Sequence, residues 1–81
     1  MRVNIYGDEF EGTPGEIVEA MGDKAWGKFE TVDEYMEMAA KNIWKFSGKP
    51  FIIKGATCQE RCLDFLNKLQ SLGIAQVKED N

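Results

Sequence analysis

Between Thr31 and Gly48 the apolar residues Val32, Met36, Ala39, Ile43 and Phe46 recur at spacings of four, three, four and three. That rhythm draws one stripe down an α-helix, and Tyr35 and Ala40 widen it into a face. Ile43 lies in the middle of the stripe and is expected to be buried. Thr31 and Glu34 stand at the spacing of a capping box, in which the hydroxyl takes one orphan amide and the carboxylate another. Gly48 tolerates a left-handed cap and Pro50 cannot continue a helix, so the pattern predicts a stop there.

Before this helix, residues 2–13 alternate as a β-hairpin would. Gly7-Asp8 suits a two-residue turn, which places Tyr6 opposite Glu9, Ile5 opposite Phe10 and Asn4 opposite Glu11. Val3, Ile5 and Phe10 then share the inward face. Thr13, Pro14 and Glu16 open a first helix with another capping box and proline at its first position. Ile17, Val18, Met21 and Ala25 form its apolar face, and Trp26-Gly27 is the expected end. Gly22 either stops this helix early or admits a neighbouring element, and Phe29 is expected to tuck between the first two helices.

After Pro50, Phe51-Ile52-Ile53 is short and β-rich and reads as a strand, with an extended buried segment as the alternative. Thr57 and Glu60 make a third capping box and open a helix over 58–72. Its apolar face comprises Cys58, Cys62, Phe65, Leu66, Leu69 and Leu72. Gly73 ends it, with Ile74 placed to meet Leu69. Ala75–Lys78 alternates as a last strand, and 79–81 is expected to fray. The order is ββααβαβ: one α+β domain over residues 1–81, helices packed on a small sheet, the last three elements suited to a parallel βαβ unit.

Composition narrows this only a little. With 43% hydrophobic and 30% charged residues in 81, the chain has room for one modest core and reads as an ordinary soluble domain. The start, MRVNIYGDEF, lacks the apolar core of a signal peptide, so a cytoplasmic location with reduced thiols is expected and no membrane partner. Charge is more informative. Residues 1–39 carry ten acidic and three basic side chains, net −7; residues 40–81 carry four and seven, net +3. The overall −4 weighs against general nucleic-acid binding, while the split allows contact with an oppositely charged partner.

The segments GDEFEGTPGEIVEAM, TVDEYMEMAAKNI and GATCQERCLDFLNKL resemble small bacterial proteins of unassigned function, some of them carried on phage-like or mobile elements. The resemblance implies a bacterial, non-secreted accessory protein and transfers no functional residue.

Candidate chemistry is sparse. There is no histidine, which removes the commonest general base and metal ligand. GATCQER lacks the second glycine and the lysine of a phosphate loop, and no cofactor is expected. Cys58 and Cys62, one turn apart, read as packing residues; a metal site would need two further ligands. Glu9, Glu11, Glu16, Glu19 and Asp23 read as solvated surface. The aromatic and basic residues are the better lead. Trp44 lies at the margin of the central stripe beside Lys41 and Lys45, Met38 faces outward, and Trp26 ends the first helix. Aromatic and methionine side chains are enriched in interfaces. Trp26, Met38, Lys41, Trp44 and Lys45 are therefore the expected contact surface of a non-catalytic interaction module, for a protein partner or a weak homodimer. The alternative joins Lys41, Lys45 and Lys49 with Trp44 as a stacking surface for nucleic acid or nucleotide.

Overall fold

The computed structural model describes residues 1–25 and 29–78. It is an α+β domain that shows, among the described residues, three strands and three helices: β1 Arg2–Ile5, β2 Asp8–Glu11, α1 Pro14–Lys24, α2 Val32–Ser47, α3 Cys58–Ser71 and β3 Ala75–Lys78. The sheet order is β2-β1-β3, antiparallel throughout. Helices α1 and α3 pack on each other and on the sheet, and α2 lies against α1 and, more lightly, α3. Among the described residues no helix is long and apolar enough to cross a membrane.

Local chemistry explains the helix ends. At Thr13 the box is complete: its hydroxyl accepts from the Glu16 amide at 3.2 Å, and the Glu16 carboxylate accepts from the Thr13 amide at 3.1 Å. At Thr31 the hydroxyl accepts from the Glu34 amide, but the Glu34 carboxylate reaches one residue further, to the amide of Glu30. At Thr57 the Glu60 carboxylate accepts from the threonine hydroxyl itself. Helix α3 closes as expected: the amides of Gly73 and Ile74 donate to the carbonyls of Gln70 and Leu69, the paired bonds of a Schellman end.

The hairpin forms in a different register from the expected one. Val3 stands opposite Phe10, Asn4 opposite Glu9 and Arg2 opposite Glu11, so the turn is Tyr6-Gly7, with φ of 50° and 92°. Positive φ at both positions is the type I′ geometry that matches strand twist. A slip of two residues keeps Val3, Ile5 and Phe10 on one face, so hydrophobic alternation cannot distinguish the registers. Cross-strand partners can. The observed register puts the Arg2 guanidinium 2.7 Å from the Glu11 carboxylate, and Asn4 Oδ1 accepts from the Gly7 amide.

Phe51–Ile53 is extended but joins no strand, which removes the expected βαβ unit; β3 instead pairs antiparallel with β1, Val77 opposite Val3 and Ala75 opposite Ile5. The segment serves the helices. Phe51 is buried edge-on against Phe65, centroids 5.9 Å apart, Ile52 is 55% exposed, and the Lys54 amide donates to Asp64 Oδ2 at 2.8 Å. The core is otherwise Val3 and Phe10 from the hairpin, Ile17, Val18 and Met21 from α1, Met36 from α2, Cys62, Phe65, Leu66 and Leu69 from α3, and Ala75 from β3. Cys58 and Leu72, expected on the α3 apolar face, are exposed.

Candidate functional site

Helix α2 carries the candidate surface, and its own stripe shows why. Met36 is 2% exposed, Val32, Ala39 and Ile43 are half-buried, and Phe46 is 93% exposed. The stripe thus runs off the end of the core. Ile43, expected to be buried, is half-covered, and Phe46 projects into solvent because nothing of the described fold extends far enough to meet it. Trp44, Lys45 and Ser47 are exposed beside it, so the last turn of α2 is uncovered on all sides.

Four of the five expected contact residues come together. Met38, Lys41, Trp44 and Lys45, with Asn42, line an open depression of about 360 Å³ on the outer side of α2. Trp44 is 48% exposed at its margin, and the Asn42 amide nitrogen lies 2.9 Å from Met38 Sδ. Trp26, the fifth, lies outside the described residues, as does the expected stop at Gly27 and the expected fraying of 79–81.

A larger groove, about 540 Å³, opens at the other end of α2. Its floor includes Val18 and Gly22 of α1 and Tyr35 of α2, and its rim carries Glu19, Asp23 and Glu30. The two helices meet at Gly22, where a Cβ would sit 3.4 Å from Tyr35 Cγ, in ordinary van der Waals contact. Tyr35 stacks edge-on with Phe29, at 5.3 Å, and with Phe65, at 6.3 Å, and its burial pushes the phenol pKa upward. Phe29 is half-buried here rather than sunk in the core. Glu19 and Asp23, read from sequence as plain solvated surface, prove to border a cavity. That cavity was not legible in the helical pattern, because it depends on how α1 meets α2.

Several other ionisable groups have structural partners. Arg61 holds Asp33 bidentately, Nε to Oδ1 and a terminal nitrogen to Oδ2, both at 3.0 Å; these hydrogen bonds lower the Asp33 pKa, outweighing partial burial. Burial would raise Asp64, but the Lys68 ammonium and the Lys54 amide together bring it below the usual range. Cys62 is buried with its sulfur 3.9 Å from the exposed Cys58, and burial, then the neighbouring thiol, push it up to about 12. A thiol so placed is a poor nucleophile at neutral pH. Among the described residues no group of three or more His, Cys, Asp or Glu is placed to hold a metal ion. Comparison with protein-family models, with curated proteins and with solved structures gave no match.

Proposed function

We propose that this chain is a small non-catalytic interaction module that binds a protein through the C-terminal half of α2. The observation that carries the reading is Phe46: on the same stripe as the buried Met36, yet almost wholly in solvent, in a last helical turn where Trp44 and Lys45 are exposed as well. An exposed phenyl ring on a lysine-bearing helix end fits a partner that offers an apolar pocket with acidic edges. The pattern of ionisable groups supports a non-catalytic role, since Asp33 and Asp64 are shifted downward by structural ion pairs and Cys62 upward by packing. The setting we propose is the cytoplasm, in keeping with two free thiols.

The test is affinity capture by the immobilised chain, run beside sedimentation at rising concentration. Wild type is expected to retain a protein or to self-associate, and Phe46→Ala with Trp44→Ala is expected to abolish either. A strictly monomeric wild type that retains nothing refutes the reading.

One observation favours a second reading. Lys41 and Lys45 flank Trp44 around the depression on α2, an arrangement that could stack a base and contact its phosphate. It requires salt-sensitive quenching of Trp44 fluorescence by single-stranded oligonucleotides, measured in a Trp26→Phe background. Unchanged fluorescence at ~20 mM salt disposes of it.

A further inference from the structure

At the start of α3 two thiols share one turn of helix. Cys58 is the first residue of the helix and is exposed. Cys62, one turn on, is fully buried, with its sulfur 3.9 Å from the Cys58 sulfur. Packing accounts for Cys62 alone, since an exposed thiol at position 58 fills no part of the core. Residues 54–57, which lead into the helix, are exposed too, so solvent reaches the Cys58 side of the pair.

The distance between the sulfurs selects the chemistry. A disulfide needs them about 2.05 Å apart, with the Cβ atoms separated by about 3.5–4.5 Å. Residues one turn apart hold their Cβ atoms about 5–6 Å apart, so closing that bond would distort the first turn of α3. An atom placed between the sulfurs makes no such demand. Two metal–thiolate bonds of about 2.3 Å, meeting at a tetrahedral angle, span roughly 3.8 Å, close to the separation found.

The surroundings suit two thiolates with a dication. Arg61 lies in the same turn, fixed against Asp33 at 3.0 Å, and its charge acts on both thiols. In the free protein burial, then the Cys58 thiol and Asp33, keep the proton on Cys62 against the pull of Arg61. A soft dication reverses that balance, because a thiol that coordinates it is deprotonated outright. Two metal–sulfur bonds form and two protons leave to solvent. The two thiolates cancel the charge of the ion, so the bound unit is neutral at the edge of the core. Reaching Cys62 is not a separate step, since an ion held by Cys58 is already beside it.

We propose that Cys58 and Cys62 chelate one soft, thiophilic dication of the zinc and cadmium class, its other positions taken by water or a small thiol. The site uses no residue of the α2 surface and stands independently of the interaction reading. With only two ligands from the chain, the ion is held reversibly and does not hold the fold together, as a closed four-ligand site would.

The test is titration of the reduced full chain with cadmium ion, without added thiol, followed by the ultraviolet charge-transfer absorption of the cadmium–thiolate bond. Saturation is expected at one ion per chain, with the intensity of two such bonds. Zinc ion should compete and magnesium ion should not. Cys58→Ser and Cys62→Ala should each weaken binding by at least the roughly ten- to hundredfold that loss of an outer-shell partner costs. Bound cadmium should also shield Cys58 from iodoacetamide. Circular dichroism checks that each variant is folded, and Cys58→Ser changes an exposed position. Should Cys62→Ala fail to fold, the wild-type intensity decides: two thiolate bonds per ion support the pair, and one overturns it.

A wild type without charge-transfer absorption overturns the proposal. So does absorption undiminished by loss of Cys62, since Cys58 would then act alone, and so does saturation at one ion per two chains, since the bonds would then join separate molecules. Cadmium bound without that absorption and indifferent to both substitutions is binding to surface carboxylates only, which also overturns the pair as the site.

Discussion

Met36→Ala and Phe46→Ala remove side chains from one stripe of one helix, and the structure assigns them very different costs. Met36 is the one residue of α2 that is fully buried, at 2% exposure. Truncating it deletes three heavy atoms from the core, about 2.4 kcal/mol at roughly 0.8 kcal/mol per buried methylene-sized group. The cavity left behind adds to this, and the better helix propensity of alanine returns a few tenths, so about 2–4 kcal/mol is expected. For a chain of this length, total stability is about 4–12 kcal/mol, so the loss is a large share. Phe46 buries almost nothing within the chain, and Phe46→Ala should cost no more than about 0.5 kcal/mol. Ile43, half-covered between them, should fall at about 1–2 kcal/mol as alanine. Urea denaturation followed by circular dichroism decides the order, at low micromolar concentration so that association does not contribute. If Phe46→Ala is as damaging as Met36→Ala, the end of α2 is packed inside the fold. The interaction reading would then lose its main support.

Gly55→Ala should destabilise the chain by about 1–3 kcal/mol, because the new Cβ would lie 2.6 Å from the Arg61 backbone nitrogen and 2.8 Å from the Glu60 carbonyl carbon; a denaturation midpoint near wild type would contradict this packing. Asp33→Asn should be less stable than wild type at pH 7. Since Arg61 depresses the folded-state pKa, that contribution is present above the unfolded value of about 3.9 and disappears as pH falls through the folded one. Thermal unfolding from pH 7 down to about pH 2.5 should show the two proteins converging below about pH 4, and a constant gap would refute the linkage. Native protein treated with iodoacetamide at about pH 8 should be alkylated at Cys58 alone, with Cys62 reacting only after unfolding; equal labelling by mass spectrometry would show that Cys62 is not shielded.

What the sequence disclosed and what it concealed divide along a physical line. Helix starts at Thr13, Thr31 and Thr57 were legible because capping is settled within four residues. The end at Gly73-Ile74 was legible for the same reason. The hairpin was legible as a hairpin but not in register, since a two-residue slip changes no side chain's face; the pairing of Arg2 with Glu11 was the available discriminator. Phe51–Ile53 misled because β-rich composition reflects burial as much as pairing, and here Phe51 is buried against α3 while the segment joins no strand. The candidate surface divides similarly. Met38, Lys41, Trp44 and Lys45 share a helix, so their proximity follows from helical spacing alone. The acidic groove joins residues of two helices, and a single sequence does not reveal how those helices meet.

The length of the stripe beyond the core follows from that meeting. Helices α1 and α2 touch where Gly22 faces Tyr35. From that contact α1 has eight residues left before Pro14, about 12 Å, whereas α2 continues for twelve to Ser47, about 18 Å. At whatever angle the two cross, α1 cannot cover the last turn of α2. Ile43, eight residues past Tyr35, sits where that cover gives out, which is why it is half-buried. Phe46 stands beyond it. Helicity there is secured by Gly48, which takes φ of 72° and donates its amide to the Trp44 carbonyl, a bond that does not involve the ring of Phe46. A glutamine or lysine at 46 would serve the fold equally well and would spare the chain an exposed aromatic. The described fold does not require phenylalanine at this position, and an exposed ring there is what the proposed interaction surface would use.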